Sequence, residues 1–153
     1  MVSYKMREGR QVNRKKHFKI IMPIFLLCLT VCLSSCSTAK KQEYYSQKSN
    51  YINAAGTVTH ISYNEDNTAL YLGFSELTPQ FDDNSFKIVG DNLLIVQERG
   101  IDQKIQIGVQ VDFITAPKYF GDGYVMPIVA ISVKDEKILG FEEGFDNLQK
   151  WLN

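Results

Sequence analysis

Side chains able to do chemistry are few in this 153-residue chain, and their spacing limits what they can do. Cys28, Cys32 and Cys36 all lie in or at the end of the N-terminal leader, so the body that follows has no thiol. That excludes a cysteine nucleophile, a Cys-based zinc site, a redox pair and an internal disulfide from the body. The carboxylates Glu65-Asp66, Asp82-Asp83 and Asp122 are candidate calcium ligands by type. Calcium takes about six to eight oxygens gathered by a spaced loop, and no such spacing occurs. These acids read instead as turn residues, because short polar side chains bond their own backbone there. His60 stands in an alternating run with no companion that would make it a ligand or a base. Neither a Gly-x-Ser-x-Gly elbow nor a phosphate-cradling glycine loop is present. The sequence therefore predicts no catalytic residue, no metal and no cofactor.

Binding has better candidates. The run Lys118-Tyr119-Phe120-Gly121-Asp122-Gly123-Tyr124 puts three aromatics and a base in one loop. Tyr119, Phe120 and Tyr124, with Lys118, are the expected ligand-binding residues, since aromatic faces offer large contact area at low entropy cost. They suit a sugar, a peptide or a base. In the competing reading Phe120 plugs the core and the glycines only make the turn. A small hydrolase built from the acids around residues 118–124 is the enzymatic alternative.

The leader carries the strongest local pattern. Lys5, Arg7, Arg10, Arg14, Lys15, Lys16 and Lys19 stand against the single acid Glu8, and an uncharged apolar run from Ile20 to Leu33 follows. Small residues, Ser34 and Ser35, close it. This is the order of a secretory signal. An uncleaved membrane anchor is the alternative, but a spanning helix needs roughly 20 apolar residues and this run is shorter and contains Pro23. The stretch Leu33-Ser34-Ser35-Cys36 resembles the lipobox of bacterial lipoproteins. The resemblance implies a diacylglycerol joined to the Cys36 sulfur, cleavage just before it, and a domain held by lipid outside the cytoplasm. Cys32 and Cys28 fit less well, because Val31 and Leu27 stand where a small residue is needed.

Removing residues 1–35 changes the electrostatics. The leader holds seven of the 17 Lys and Arg and one of the 17 Asp and Glu, leaving ten bases and sixteen acids, a net charge of about −6. Such a surface repels phosphate backbones, so no nucleic acid is expected as a partner. The membrane, through lipid on Cys36, and an envelope protein or saccharide are the expected partners. Residues 36–53, rich in Ser, Lys, Gln and Asn, read as a flexible tether, with packing of Tyr44, Tyr45 and Tyr51 on the domain as the alternative.

The elements that position these residues lie in 54–153, enough for one domain. Alternation predicts strands over Gly56–Tyr63 and Ala69–Ser75 joined by the polar turn Asn64-Glu65-Asp66-Asn67, then a short strand Phe86–Val89. A short helix is expected over Asn92–Arg99, capped by Asp91 and ended by Gly100, with a buried strand as the alternative. Strands Ile105–Thr115 and Tyr124–Val133 follow, and Phe145, Leu148, Trp151 and Leu152 at helical spacing close the chain with a C-terminal helix. The fold class is thus mainly β. Three strands, a helix and two strands resemble the OB-fold, a small five-stranded, partly open barrel, here with an added C-terminal helix. A β-sandwich fragment or another small barrel is the alternative. On the OB-fold resemblance, the loop 118–124 borders the ligand face, and an oligonucleotide or oligosaccharide binder is implied. The function expected from the whole is a lipid-anchored, non-enzymatic binding or interaction module.

Overall fold

A computed structural model of the protein describes residues 39–82, 84–101, 103–118 and 125–153. The leader, Cys36, Asp83, Tyr119, Phe120, Asp122 and Tyr124 lie outside the described residues. Residues 40–153 form one compact unit. It is mainly β. Its elements are a helical segment 39–46 (α1), a 3-10 turn Lys48–Asn50, strands β1 Ile52–Tyr63, β2 Ala69–Thr78 and β3 Ser85–Val89, and helix α2 Asp91–Arg99. Strands β4 Gln110–Thr115, β5 Met126–Val133 and β6 Glu136–Leu139 and helix α3 Phe141–Leu152 complete it.

The six strands form one sheet in the order β3-β2-β1-β4-β5-β6, with antiparallel neighbours. In addition, β3 pairs in parallel with β5 through Phe86–Met126 and Lys87–Pro127. The long strand β1 serves two partners: Ile52 to Thr57 pair with β4, and Ala55 to Tyr63 pair with β2. Register shifts between Ala55 and Thr57 and between Val58 and His60 let it do so, because a bulge bends and twists the strand that carries it. In the turn after β1, the Asn64 side-chain oxygen accepts from the Thr68 and Ala69 backbone amides, each at 2.8 Å. That bonding is why an Asn opens the turn.

Inward-facing residues of successive strands build the main core. Leu70, Leu72 and Phe74 of β2, Phe86 and Ile88 of β3, and Val111 and Phe113 of β4 are all at most 2% exposed. Three rings lock together at its centre: Phe74 stacks on Phe113 at 4.7 Å, and Phe86 meets both edge-on at 5.2 and 4.9 Å. Each such pair adds about 0.5–1.5 kcal/mol beyond area burial.

A second core forms between the sheet and the two chain-terminal elements. Tyr45 and Tyr51 pack there with Ala116, Val129, Phe145 and Leu148. In place of a tether, residues 39–53 are packed chain. Tyr51 lies edge-on to Phe141 and Phe145 at 5.8 and 5.4 Å, its hydroxyl donates to the Tyr45 carbonyl at 2.9 Å, and Gln149 Nε2 donates to the same carbonyl at 2.8 Å. Polar composition hid this, because three aromatic rings are enough to anchor a segment of otherwise soluble residues. Exposed Lys48–Glu142 and Arg99–Glu143 pairs border these elements and contribute about 0–1 kcal/mol each.

Other departures from the sequence reading have local causes. The sheet has a sixth strand, β6, where five were expected, because Ile138 and Leu139 are buried against the main core and pull residues 136–139 into pairing with β5. Strand β4 starts at Gln110 rather than near Ile105, since residues 106–109 turn: the Val109 amide donates to Gln106 O at 3.0 Å. Helix α2 forms as expected but is capped by Gly90, not Asp91. Gly90 has φ +59, and a Cβ there would stand 2.9 Å from Trp151 Cδ1. Buried Asn92 ties α2 to α3, donating to Gly144 O at 2.8 Å and accepting from Asn147 Nδ2 at 3.1 Å.

The tightest approach is between α3 and β5. A Cβ on Gly144 would fall 1.8 Å from the Val129 carbonyl oxygen, a backbone atom that cannot step aside. Gly144→Ala must therefore lift α3 off the sheet. Its expected cost is about 3 kcal/mol, at the upper end for overpacking, read as a lower denaturation midpoint at unchanged m-value. A cost below about 0.5 kcal/mol would refute the contact.

Burial raises the phenols of both Tyr45 and Tyr51 well above their usual value of 10, and neighbouring tyrosines push the same way. The folded state thus holds these protons more tightly than the unfolded chain. Stability is fully present below about pH 10 and is lost as pH rises beyond it, where only the unfolded chain ionises. Tyr45→Phe should flatten the alkaline limb of the stability profile; an unchanged limb would show that the ring is not buried.

Candidate functional site

Sheet register assembles a site that spacing along the chain does not reveal. Thr78 of β2 lies opposite Ala55 of β1, Ala55 opposite Asp112 of β4, Asp112 opposite Ser132 of β5, and Ser132 opposite Lys137 of β6. One row thus crosses five strands. A second row runs Asn53–Ile114–Ala130 beside it. Opposed residues on neighbouring strands have Cβ atoms about 4.5–5.5 Å apart, so each row is contiguous.

These two rows line a groove of about 640 Å³, bounded at one end by Asp135, Gly140 and Phe141. That volume is within the usual range for a small-ligand site, about 300–1,000 Å³. The groove exists because its middle positions are small. Ala55 and Ala130 leave a channel where larger residues would fill the surface, and Ile114 supplies an apolar floor. Thr78, Asp112, Ser132 and Lys137 offer a hydroxyl, a carboxylate, a second hydroxyl and an ammonium in order. Asp112 and Lys137 are two strand spacings apart, about 10 Å, so acid and base stand on either side of Ser132. The Phe141 ring is held from behind by Tyr51 at 5.8 Å and by Phe145 at 5.9 Å.

Chemically, the groove can donate and accept hydrogen bonds along its length and offer an aromatic ring at one end. Among the described residues, no group of three or more His, Cys, Asp or Glu is placed to hold a metal ion. No helix among them is long and apolar enough to cross a membrane.

Of the residues singled out from sequence, those that are described fall elsewhere. Tyr119, Phe120 and Tyr124 are outside the described residues, as is Cys36. Lys118 is described: its amide donates to Ala116 O at 3.0 Å and its ammonium lies 5.9 Å from the Tyr44 ring centroid, so it sits beside the N-terminal segment. His60 is exposed, with Nε2 2.9 Å from Ser62 Oγ. Glu65 and Asp66 occupy the β1–β2 turn, and Asp82 borders a separate polar surface pocket with Glu76 and Phe81. None of the described ones lines the groove. The signal that could have found it is the outward alternation of small and polar residues on β1, β4 and β5, which becomes a site only once register is known.

Comparison with family models, with curated proteins and with solved structures finds no match to this chain.

Proposed function

We propose that this chain is a lipid-anchored protein of the bacterial envelope whose domain is a non-enzymatic binding module, with the groove across β1, β4 and β5 taking a saccharide or an extended segment of an envelope protein. A coincidence of boundaries carries the anchor. Cys36 stands four residues before Lys40, the first residue of the compact unit, so cleavage before Cys36 discards the basic leader and leaves the fold whole. Two acyl chains then hold the protein, each buried methylene adding about 0.8 kcal/mol.

The barrel reading draws support from the pairings. Strands β1, β2, β3, β5 and β4 pair in a circuit that returns to β1, and α2 lies between the third and fourth strands. That order is similar to a five-stranded OB-like barrel, with β6 and α3 as additions. Fold alone implies no ligand; the groove does. Asp112 and Asp135 in its walls, within an acidic body, oppose a phosphate backbone. Hydroxyls, two carboxylates and one ammonium beside an aromatic ring suit the hydroxyls of a sugar or the amides of a peptide.

Two experiments test the reading. In the native host, Cys36→Ala should abolish incorporation of labelled fatty acid and move the protein out of the membrane fraction. Tight membrane association of a processed variant that has lost residues 1–35 and carries no lipid would overturn the anchor. Neutral oligosaccharides and short peptides titrated into the detergent-solubilised protein should shift the amide resonances of Asn53, Asp112 and Ser132. Ala130→Leu, which fills the groove, should remove those shifts at a cost of about 1–3 kcal/mol, because Ala130 is only 8% exposed. Shifts confined to other surfaces would retire the groove as the site.

A further inference from the structure

Helices α1 and α3 run antiparallel. Gln42 hydrogen-bonds Asn153 through their side chains, while Tyr45, three residues later, accepts from Gln149, four residues earlier. The start of α1 therefore lies beside the last turn of α3, at one end of the domain. We infer that this end, carrying Trp151, is held against the headgroup layer of the anchoring bilayer by a tether too short to let it leave. The inference rests on Cys36 being the lipidated residue.

Reach decides the matter. Lys40 follows Cys36 by four Cα steps, and fully extended chain covers at most about 3.6 Å per residue, so the compact unit begins within about 14 Å of the anchored Cα. A folded domain on so short a lead cannot tumble freely; it must present the end from which the lead emerges. The sequence reading of a long tether to residue 53 would have allowed any orientation, and the packing of Tyr45 and Tyr51 removes that freedom.

The chemistry of this end suits the interface. Trp151 is 49% exposed in the last turn of α3, and tryptophan favours the boundary between headgroups and hydrocarbon. Lys40 and Lys41 at the start of α1 and Lys150 beside Trp151 stand there against Glu43 and Asp91, which follows the Gly90 that meets Trp151, so this end is less acidic than the body as a whole. Lysines near a membrane are drawn to anionic lipid. The consequence for the groove is orientation. Phe141, at its edge, is ten residues before Trp151 on the same helix, about 15 Å along the axis. The groove therefore stands off the bilayer and opens to partners in the envelope space.

Trp151 is the only tryptophan of the chain, so it reports directly. The purified lipidated protein is reconstituted into vesicles containing phosphatidylglycerol and a lipid with a nitroxide on its headgroup, and flotation is measured alongside Trp emission. A second form carries a Gly/Ser insert of about 12 residues between Ser37 and Thr38, adding an r.m.s. reach of about 20 Å. The native-length form should float and be quenched, and the insert form should float with most of its emission restored. Flotation without quenching overturns the orientation while leaving the anchor intact. Quenching that persists unchanged in the insert form overturns the tether as its cause. Failure of the native-length form to float overturns the anchor and this inference together.

Discussion

The approach of Gly144 to the carbonyl of Val129 is the contact on which the rest of the architecture depends. Strand β5 pairs with β3, β4 and β6, so it is the strand to which most of the sheet is attached. Its pairing with β4 shifts register between Ile114, opposite Ala130, and Thr115, opposite Ile128. The extra residue is Val129, which joins the second core while Ile128 and Ile131 stay in the first. Buried Thr115 steadies the irregularity, its hydroxyl donating to Pro127 O at 2.7 Å. Only a residue without a side chain lets α3 lie on that backbone, and glycine at 144 supplies it.

Everything outside the main core follows from where α3 comes to rest. Its inner face carries Phe145 and Leu148 onto the sheet, and its flank receives Tyr51 and the Tyr45 carbonyl. Its first residue, Phe141, bounds the groove, and its last turn meets the start of α1. Asn92 fixes its distance from α2 through two hydrogen bonds in a buried setting, where an unmade bond costs about 1–3 kcal/mol. One helix thus links the groove, the N-terminal segment and the end of the domain at which α1 begins.

Much of the fold could be read from alternation. The strands β1, β2 and β3 and the helix α3 follow patterns of burial that a period of two or of about 3.6 makes visible. Strand β5 is legible as a run apolar and buried on both faces, and α2 from Asp91 and Gly100 at its ends. Strand β6 escaped because its four residues are too few to show alternation, and only Ile138 and Leu139 commit it to the sheet. The N-terminal segment escaped for a different reason: its polar residues outnumber three tyrosines whose partners lie about a hundred residues away. The groove was invisible, since Thr78, Ala55, Asp112, Ser132 and Lys137 meet only through pairing between strands distant in sequence.

By itself the sequence determined the chain's covalent and electrostatic frame. It confines every cysteine to the first 36 residues, separates a basic N-terminal segment from an acidic remainder, and carries the Leu33-Ser34-Ser35-Cys36 pattern on which the proposed lipid anchor rests. It also determined mainly β character, because alternating apolar residues can bury only one face of an extended chain. Tertiary structure alone decided which outward residues share a surface, that β3 pairs with β5, and that the polar segment after residue 39 is held by α3. The physical reason is range. Local pattern sets which face a residue presents, whereas register and close backbone approach, such as Gly144 on Val129, depend on contacts that exist only after the chain has folded.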